Sequence, residues 1–249
     1  MIDPSEKSTE VRASQPRPRS GSNDDQPSRS TSVEIAPGVR LDSRLAIFHQ
    51  GDRWLALADL HFGYEVSRRA DGGLWPLWGM RTIEERLEAL VADWNPKTLI
   101  LVGDIVDSAA APREAIAWLE RLGAMGPELV LVEGNHDRGE VRRHFEFVPE
   151  FRAGGFLFHH GHLPRIEPGR DEIEVTGHFH PSTRFGDGAG TSLKLPTFTR
   201  EIRADSRGET WTLPAFSPWA GGHPASPQEV DSEFRCWACG GERVFEVAV

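Results

Sequence analysis

The sequence predicts an α/β fold, and three observations carry that prediction. Apolar runs of about five residues alternate with stretches whose apolar side chains recur at helical spacing, which is typical of parallel strands joined by helices. The chain has 249 residues, enough to bury a sizeable core in one large domain or two small ones. Its composition, with 38% hydrophobic and 27% charged residues, is that of an ordinary soluble protein.

Residues 1–32 are set apart by their composition. They contain eight serines, four prolines and almost no large apolar side chains. Such a segment cannot bury enough surface to offset its ordering entropy, so we expect a disordered tail followed by one domain over residues 33–249. The first residues lack the apolar stretch of a secretory signal, and no run approaches the ~20 apolar residues that span a bilayer. A cytoplasmic protein with no membrane partner is therefore expected.

The formal net charge of the chain is -10. Five acids and five bases cancel within residues 1–32, so the whole excess of negative charge lies in residues 33–249. An acidic body repels polyphosphate at long range, which argues against non-specific coating of nucleic acid. It does not exclude a site where metal ions reverse the local charge.

Each element downstream of the tail follows from its own pattern. Short apolar runs bounded by turn residues predict strands, and the turn QGDR joins the first two into a hairpin. Ile83, Leu87 and Leu90 recur at helical spacing, and Asn95-Pro96 ends that helix. In chain order the predicted elements are strands 45–49 and 54–59, helix 80–93, strand 98–102, helix 112–122, and strands 128–132, 156–159 and 172–176. The later strands have no long helix between them, so that half should be mixed or antiparallel.

Polar side chains that can bind metal ions follow five of the predicted strands. Sites in open α/β sheets lie outside the carboxyl ends of the strands, so we expect these five loops to converge. In chain order the residues are Asp59 and His61 in DLH, Asp104 and Asp107 in GDIVD, Asn135, His136 and Asp137 in GNHD, His160 and His162 in HGH, and His178 and His180 in GHFH. One such motif alone is common in turns, but five in succession after apolar strands indicate a site.

The residue types in these loops suit a pair of divalent metal ions. Carboxylate, neutral imidazole and amide oxygen are ligands for manganese, iron and zinc. The imidazoles are too many for calcium or magnesium, which prefer oxygen, and the cluster contains no cysteine for a zinc–thiolate site. The number of ligands exceeds what one ion needs. Two ions are the economical arrangement, and they can clamp the oxygens of an in-line phosphoryl displacement.

The five motifs, in this order between residues 54 and 181, resemble those of the calcineurin-like metallophosphoesterase family. The resemblance implies two facing mixed β-sheets flanked by helices, with a dinuclear metal site at one edge. DLHFG, GNHDRG, GHFHP and the later LPAFSPWAGG are further similar to the ligase-associated DNA damage response phosphoesterases of bacteria. Tyr64 departs from that pattern, because a lysine is usual there. The narrower resemblance implies nuclease-type activity.

The resemblance also implies which residue holds which ion. One histidine must be chosen among His159, His160 and His162, because all three cannot be ligands in one geometry. The family pattern selects the histidine directly before the glycine, His160, with His162 as the alternative. Carried over by motif, Asp59, His61 and His180 would hold the first metal, Asn135, His160 and His178 the second, and Asp104 would bridge the two.

His136 is the candidate for a catalytic group that is not a metal ligand. The neighbouring Asp137 would favour its protonated form and fix its orientation, which suits a proton donor to the leaving-group oxygen. The alternative is that His136 only caps its loop. Asp107 is either a partner of a ligand or backbone amide, or a plain turn carboxylate.

Three further segments carry two interpretations each. The loop GGLWPLWGM (72–80) could pack under the sheet edge or at a dimer contact, or it could form a lid that offers aromatic faces to a base. LPAF (213–216) is expected to be a core strand rather than a substrate contact. Cys236 and Cys239 are expected to be two reduced thiols rather than a redox pair.

Together these patterns predict a two-metal phosphoesterase in which a hydroxide bridging the ions attacks phosphorus. Manganese is the expected ion, with iron and zinc as alternatives. Phosphodiesters, including nucleic-acid ends and cyclic nucleotides, are the first choice of substrate, and phosphomonoesters are the alternative. A non-catalytic interaction scaffold is the third hypothesis. A homodimer and DNA-repair partner proteins are compatible with the subfamily resemblance.

Overall fold

The structure, a computed structural model, describes residues 31–107, 111–163, 168–169, 172–203 and 208–247. It has two facing mixed sheets flanked by helices, which confirms the predicted fold class. The tail prediction for residues 1–32 lies almost wholly outside the described residues. The first described strand begins at Ser32.

The first sheet has seven strands that lie side by side in chain order. Strands β1 to β4 pair antiparallel and β4 to β7 pair parallel. The central strands are buried on both faces, which explains their unbroken apolar sequences. The strands are β1 (Ser32–Ala36), β2 (Val39–Asp42), β3 (Ala46–His49), β4 (Trp54–Ala58), β5 (Thr98–Val102), β6 (Glu128–Val132) and β7 (Phe147–Val148).

The second sheet is mixed, as the absence of long connecting helices predicts. Its strands are β8 (Phe151–Ala153), β9 (Phe156–Phe158), β10 (Ile173–Thr176), β11 (Pro181–Gly186), β12 (Ser192–Ile202), β13 (Glu209–Thr212), β14 (His223–Pro224), β15 (Glu233–Gly240) and β16 (Arg243–Val247). The order across the sheet is β14-β11-β12-β13-β10-β9-β8, and β15 pairs with β12 and β16. Strand β10 runs parallel to both β9 and β13, whereas β12 is antiparallel to its neighbours.

Four helices are described: α1 (Tyr64–Ala70), α2 (Gly79–Trp94), α3 (Pro112–Ala124) and α4 (Glu140–His144). Helices α2 and α3 confirm the two predicted helices, and the periodic leucines form their buried faces. Helix α2 ends where Asn95 adopts a left-handed conformation (φ 44°) before Pro96. In the described part of the chain, no helix combines the length and apolar character needed to cross a bilayer.

The core between the sheets fixes how their strand ends meet. Trp54 of β4 packs edge-on against Phe156 and Phe158 of β9, with ring centroids 5.0 and 5.1 Å apart. These side chains belong to one continuous buried cluster that includes both sheets and helices α2 and α3. Because β4 and β9 are in contact, residues that follow these two strands can share one site.

Candidate metal centre

The five polar loops converge at one edge of the molecule, as predicted from the strand ends. Strands β4, β5 and β6 are parallel neighbours in the first sheet, and β9 and β10 are parallel neighbours in the second. Backbone hydrogen bonds join neighbouring loops within each sheet: His61 N donates to Asp104 O at 2.8 Å, and Gly177 N donates to His160 O at 3.2 Å. The site is therefore built from three strand ends of one sheet and two of the other.

The predicted ligands form two adjoining clusters. Asp59, His61 and His180 place one ligand atom each within 4.8 Å of one another, and so do Asp104, His160 and His178. The first cluster is the predicted ligand set of the first ion. The second cluster contains the two predicted histidine ligands of the second ion together with Asp104, which was predicted to bridge both ions. Its position supports that role, because Asp104 Oδ2 lies 3.8 Å from His61 Nε2 and 3.6 Å from His160 Nε2.

Backbone strain concentrates at these ligands. In the described part of the chain, nine non-glycine residues have positive φ, and five of them are predicted metal ligands: Asp59, His61, Asp104, His178 and His180. A side chain with a Cβ rarely adopts this left-handed conformation, and such residues cluster at functional sites where the surroundings hold them in place. The conformation turns successive polar side chains toward one point instead of continuing the strand.

Two glycines allow the close approach of the loops. A Cβ at Gly103 would lie 2.3 Å from the ring of His160, and a Cβ at Gly134 would lie 2.2 Å from Asp104 Oδ1. Both distances are far below van der Waals contact, so any larger residue would push the ligands apart. The glycines that follow β5 and β6 thus explain part of the motifs GDIVD and GNHD.

Several polar atoms of the site lack a hydrogen-bond partner although they are buried. Among the described residues, these include Asn135 Oδ1, His61 Nδ1 and His180 Nε2. Buried polar atoms are normally satisfied, and an exception asks for an explanation such as a bound ion. An amide oxygen and imidazole nitrogens beside two carboxylates are suitable donors for a borderline divalent metal. The residues present therefore fit a metal centre.

Asp59 is ionised and is held by imidazoles on two sides. Its Oδ1 lies 2.9 Å from His160 Nε2 and 3.3 Å from His180 Nε2. Burial alone would raise the pKa of Asp59, but the hydrogen bond with His160 and the electrostatic attraction of the nearby His180 ring outweigh burial and bring its pKa to about 2. Burial would lower the pKa of His160, but the contact with Asp59 outweighs it and the pKa is raised.

Asp107, not Asp137, is the carboxylate beside the ring of His136. His136 Nδ1 lies 3.0 Å from the Asp107 carbonyl oxygen and 3.7 Å from Asp107 Oδ1. The Asp137 carboxylate instead accepts the backbone N–H groups of Ile105, Val106 and Gly134 at 2.8 to 3.0 Å. These contacts place Asp107 beside the His136 ring and turn the Asp137 carboxylate toward the backbone.

Asp137 supports the loops that carry the ligands. Burial raises the pKa of its carboxyl to about 6, against the lowering effect of the backbone N–H groups that it accepts. Since those N–H groups belong to the loops after β5 and β6, Asp137 holds the two loops together. Its predicted catalytic role stays a prediction, and its contacts give it a structural one.

The three histidines of HHGH have different surroundings. His160 faces Asp59 and Asp104, and His159 Nε2 lies 2.9 Å from Glu174 Oε1 in the core. His162 Nδ1 lies 3.0 Å from His160 Nδ1, on the side of His160 away from Asp59. His160 thus belongs to a group of side chains that could hold an ion, and His162 lies behind it; the choice of His160 as the ligand stays a prediction.

The tryptophan-rich loop packs on a residue from the C-terminal half of the domain. Trp219 contacts Trp78 and Trp75, with ring centroids 4.3 and 5.1 Å away, and its Nε1 donates to buried Glu65 at 3.0 Å. Leu74 at the tip of this loop is 98% exposed. The loop therefore has an anchored base and an exposed apolar tip, and its predicted role as a lid or a dimer contact stays open.

LPAF and the two cysteines lie in the interior of the domain. Residues 213–216 are buried, and Phe216 N donates to Ala58 O beside the first ligand loop at 2.8 Å, although they do not form one of the strands β1–β16. Cys236 and Cys239 are free and buried on β15. Burial raises the pKa of the Cys239 thiol to about 12, so it is not a reactive thiolate.

Beside His178, a predicted ligand, the structure has a groove that the sequence did not predict. It has a volume of about 600 Å³ and lies between the GHFH loop and residues 223–228. His223 lines it, although that residue lies outside every motif and looks ordinary in the sequence. No local pattern could have shown this, because the two walls come from distant segments that strand pairing between β11 and β14 brings together.

A fold of two mixed sheets with carboxylates and imidazoles at the strand ends defines a metallophosphoesterase. The family model of calcineurin-like phosphoesterases matches residues 53–230. The chain belongs to this family, whose members use divalent metals to hydrolyse phosphoesters.

Two known proteins show how far the similarity extends. The crystal structure of Pseudomonas putida nuclease MPE superposes with a TM-score of 0.64 at 25% identity, over 87% of this chain and 98% of that one. A protein of the zebrafish Danio rerio described as a transmembrane protein with metallophosphoesterase domain is 30% identical over 151 residues, or 59% of this chain. The match spans 30% of the length of that curated relative.

Proposed function

We propose that this protein is a two-metal phosphodiesterase of the nuclease type. The observation that carries the proposal is the pair of adjoining clusters, because Asp104 belongs to the cluster with His160 and its Oδ2 also lies 3.8 Å from His61 of the other cluster. Two ions held side by side can act on both the attacking and the leaving oxygen of an in-line displacement. The likeness over nearly the whole length of a bacterial nuclease supports the diester as substrate.

Seven residues of this chain would hold the ions. When bound, divalent ions supply Lewis acidity, which lowers the pKa of a water and offsets the charge of the phosphate. Manganese is proposed first, with iron and zinc as alternatives, because the donor set is mixed imidazole and oxygen. The proposed assignment is Asp59, His61 and His180 to the first ion, Asn135, His160 and His178 to the second, and Asp104 to both.

His136 is proposed to protonate the leaving oxygen. Its backbone N–H donates to Asp104 Oδ1 at 2.9 Å, so the residue is fixed to the proposed bridging carboxylate. Its Nδ1 lies 3.0 Å from the Asp107 carbonyl oxygen. A carbonyl can only accept, so Nδ1 donates a hydrogen bond to it, and the proton given to the leaving oxygen is the second one, carried on Nε2 of the protonated ring. The side chain is 38% exposed, which gives a substrate access to it.

The acidic charge of the protein limits how it meets a nucleic acid. A net charge of -10 does not favour non-specific binding along a phosphate backbone. Recognition would then depend on the metal centre and on contacts beside it. A DNA-repair role, a homodimer, partner proteins and a cytoplasmic location are proposals that stand on the sequence alone.

The test is an assay with two esters that share one leaving group. Purified protein with manganese is offered bis-4-nitrophenyl phosphate and 4-nitrophenyl phosphate, and release of nitrophenolate is followed by absorbance. We expect turnover of the diester to exceed that of the monoester. Mass spectrometry of the metals in the same preparation should find about two divalent ions per chain.

The matched control is Asp104→Asn, which removes one charge and keeps the size of the side chain. We expect this variant to lose metal and metal-dependent turnover together. Preference for the monoester would replace the diesterase by a phosphomonoesterase. Absence of turnover for both esters in the metal-loaded wild type would favour the non-catalytic scaffold.

A further inference from the structure

The groove is lined by His178, a proposed ligand of the second ion, so a group attached to a phosphate bound at that ion could extend into it. Its wall begins with His178 and continues through Phe179 and Pro181. The opposite wall is the segment from His223 to Gln228. Its volume of about 600 Å³ is within the usual range for small-molecule sites. The groove is therefore large enough for a substituent that the metal centre itself does not contact.

The lining of the groove is uncharged apart from its histidines. Among the described residues that line it, there is no Asp, Glu, Lys or Arg. The walls offer proline rings and an aromatic ring, and the hydroxyls of Thr199 and Thr212 and the amide of Gln228 add polar edges. A chain of phosphates would find no cation here. An acyl chain would leave the threonine and glutamine groups without partners.

Phe179 divides this groove from a second, acidic cavity. Its side chain is 43% exposed although it lies between the proposed ligands His178 and His180. The second cavity, about 200 Å³, is lined by Glu174, Glu201 and Glu229, and by one cation, Arg203, as well as by Phe179. Three carboxylates outnumber the one guanidinium, which lies 3.8 Å from Glu174 Oε2, so the charge of this cavity disfavours a phosphate. The exposed Phe179 ring therefore borders an acidic cavity on one side and a neutral groove on the other. A neutral planar group that stacks on the ring fits the neutral groove.

We infer that the groove binds the nucleobase of the nucleotide joined to the scissile phosphate, with Phe179 as the stacking residue. A nucleobase is uncharged and planar, and its edges carry donors and acceptors for hydroxyl and amide groups. Stacking on an aromatic side chain is tolerant of base identity and needs no charge, so it suits an acidic protein. This inference rests on the proposed phosphodiesterase and assigns Phe179 to substrate specificity.

The experiment compares two diesters with the same leaving group. Thymidine 5′-(4-nitrophenyl phosphate) carries a base, and methyl 4-nitrophenyl phosphate does not. We expect Phe179→Leu to raise the KM of the thymidine ester by about tenfold, the scale of a single base–aromatic stack, with kcat unchanged. The KM of the methyl ester should not change. Phe179→Trp should keep the wild-type KM because it keeps a ring.

Two controls separate stacking from damage to the metal site. Phe185→Leu removes a ring of similar exposure (38%) from β11, outside the lining of the groove, and should leave both esters unaffected. Metal content of Phe179→Leu is measured, because the residue lies between two proposed ligands. If Phe179→Leu raised the KM of both esters equally, or changed the KM of neither, the inference would be overturned.

A binding arm does not depend on turnover and so stands apart from the proposed function. Calorimetry on manganese-loaded protein should find thymidine 5′-monophosphate about tenfold tighter than methyl phosphate, and Phe179→Leu should erase that difference. A ten-nucleotide oligothymidylate in the same titration tells the two sources of the base apart. Loss of affinity for the mononucleotide alone indicates a free nucleotide, and a parallel loss for the oligomer indicates a strand. Equal wild-type affinity for the two small phosphates contradicts a base site.

Discussion

His159 and His160 are neighbours at the end of β9, and they belong to different regions of the molecule. His159 contacts Glu174 in the core of the second sheet, and His160 contacts Asp59 in the metal centre, each through Nε2 at 2.9 Å. Both are nearly buried, 5% and 1% exposed. Residue type and burial therefore do not separate the two histidines.

The partners of the two histidines do separate them. Both carboxylate oxygens of Glu174 have protein partners. Oε1 lies beside His159 Nε2, and Oε2 accepts a hydrogen bond from the Thr210 hydroxyl at 2.8 Å. The cluster around His160 keeps Asn135 Oδ1 and His180 Nε2 buried without a hydrogen bond. A complete set of partners indicates a structural pair, and an incomplete set indicates a place for a ligand.

The largest loss of turnover should come from His160→Ala, which removes the histidine that faces the candidate metal centre. Even residues that only orient metal ligands typically cost 10–100-fold in metal affinity or activity when they are mutated. Loss of a ligand removes the ion as well as its orientation, so we expect metal-dependent turnover to be abolished. Metal content and diester turnover are measured together. A variant with full activity would show that His162 or another residue is the ligand.

His136→Ala should cause the next largest loss of turnover. It tests the chemistry at the candidate metal centre without removing a proposed ligand. Loss of a general acid typically costs about 10²–10⁴-fold in rate. Metal content should stay at the wild-type level, since the predicted ligands are untouched. An Asp107→Asn variant run alongside should show a smaller loss, because Asp107 is not among the proposed ligands and lies beside His61 and His136. Joint loss of metal and turnover in His136→Ala would make His136 a ligand.

The strands that end at the candidate metal centre could be predicted from the sequence. Strands β11 to β16 and the orientation of individual carboxylates could not, for physical reasons. Buried parallel strands give unbroken apolar runs, and a polar motif directly after each run marks a strand end. Strands β11 to β16 lack that signal because exposed residues such as Phe185 and Leu193 alternate with polar ones on partly solvated hairpins. The place of Asp107 beside the His136 ring depends on which way two carboxylates point, and sequence spacing does not determine that.

A third prediction concerns the core member of the pair, His159→Leu. The variant removes the imidazole partner of Glu174, which keeps the Thr210 hydroxyl at 2.8 Å and the Arg203 guanidinium at 3.8 Å. Loss of one hydrogen bond to a charged group costs about 1.5–3 kcal/mol. We expect the free energy of unfolding in urea to fall by about that amount, while metal content and turnover at 25 °C stay unchanged. His159→Leu and His160→Ala thus form a matched pair, and loss of metal in both would erase the distinction between the two regions.

The smallest expected effect is the pH dependence of the metal-free protein. Asp59 has a folded pKa of about 2, below its usual 3.8, so the unfolded chain takes up the proton first as the solution is acidified. Its contribution is present above about pH 4 and is lost as the pH falls toward 2, at roughly 1.4 kcal/mol per unit of pKa. The pKa of His160 is raised, so its contribution is present below its ordinary pKa and is lost as the pH rises through the folded value.

The metal-free protein should therefore be most stable in mildly acidic solution as far as this pair is concerned. Thermal unfolding in a chelator, recorded from pH 3 to pH 8, measures the effect, and Asp59→Asn should flatten the acid limb. Adding manganese should reverse the trend at higher pH, because a metal ion competes with the proton on His160 and binds better as that proton leaves. An unchanged profile on adding manganese would mean that the Asp59–His160 contact is a second structural pair like His159–Glu174, which would remove the physical basis for the metal centre.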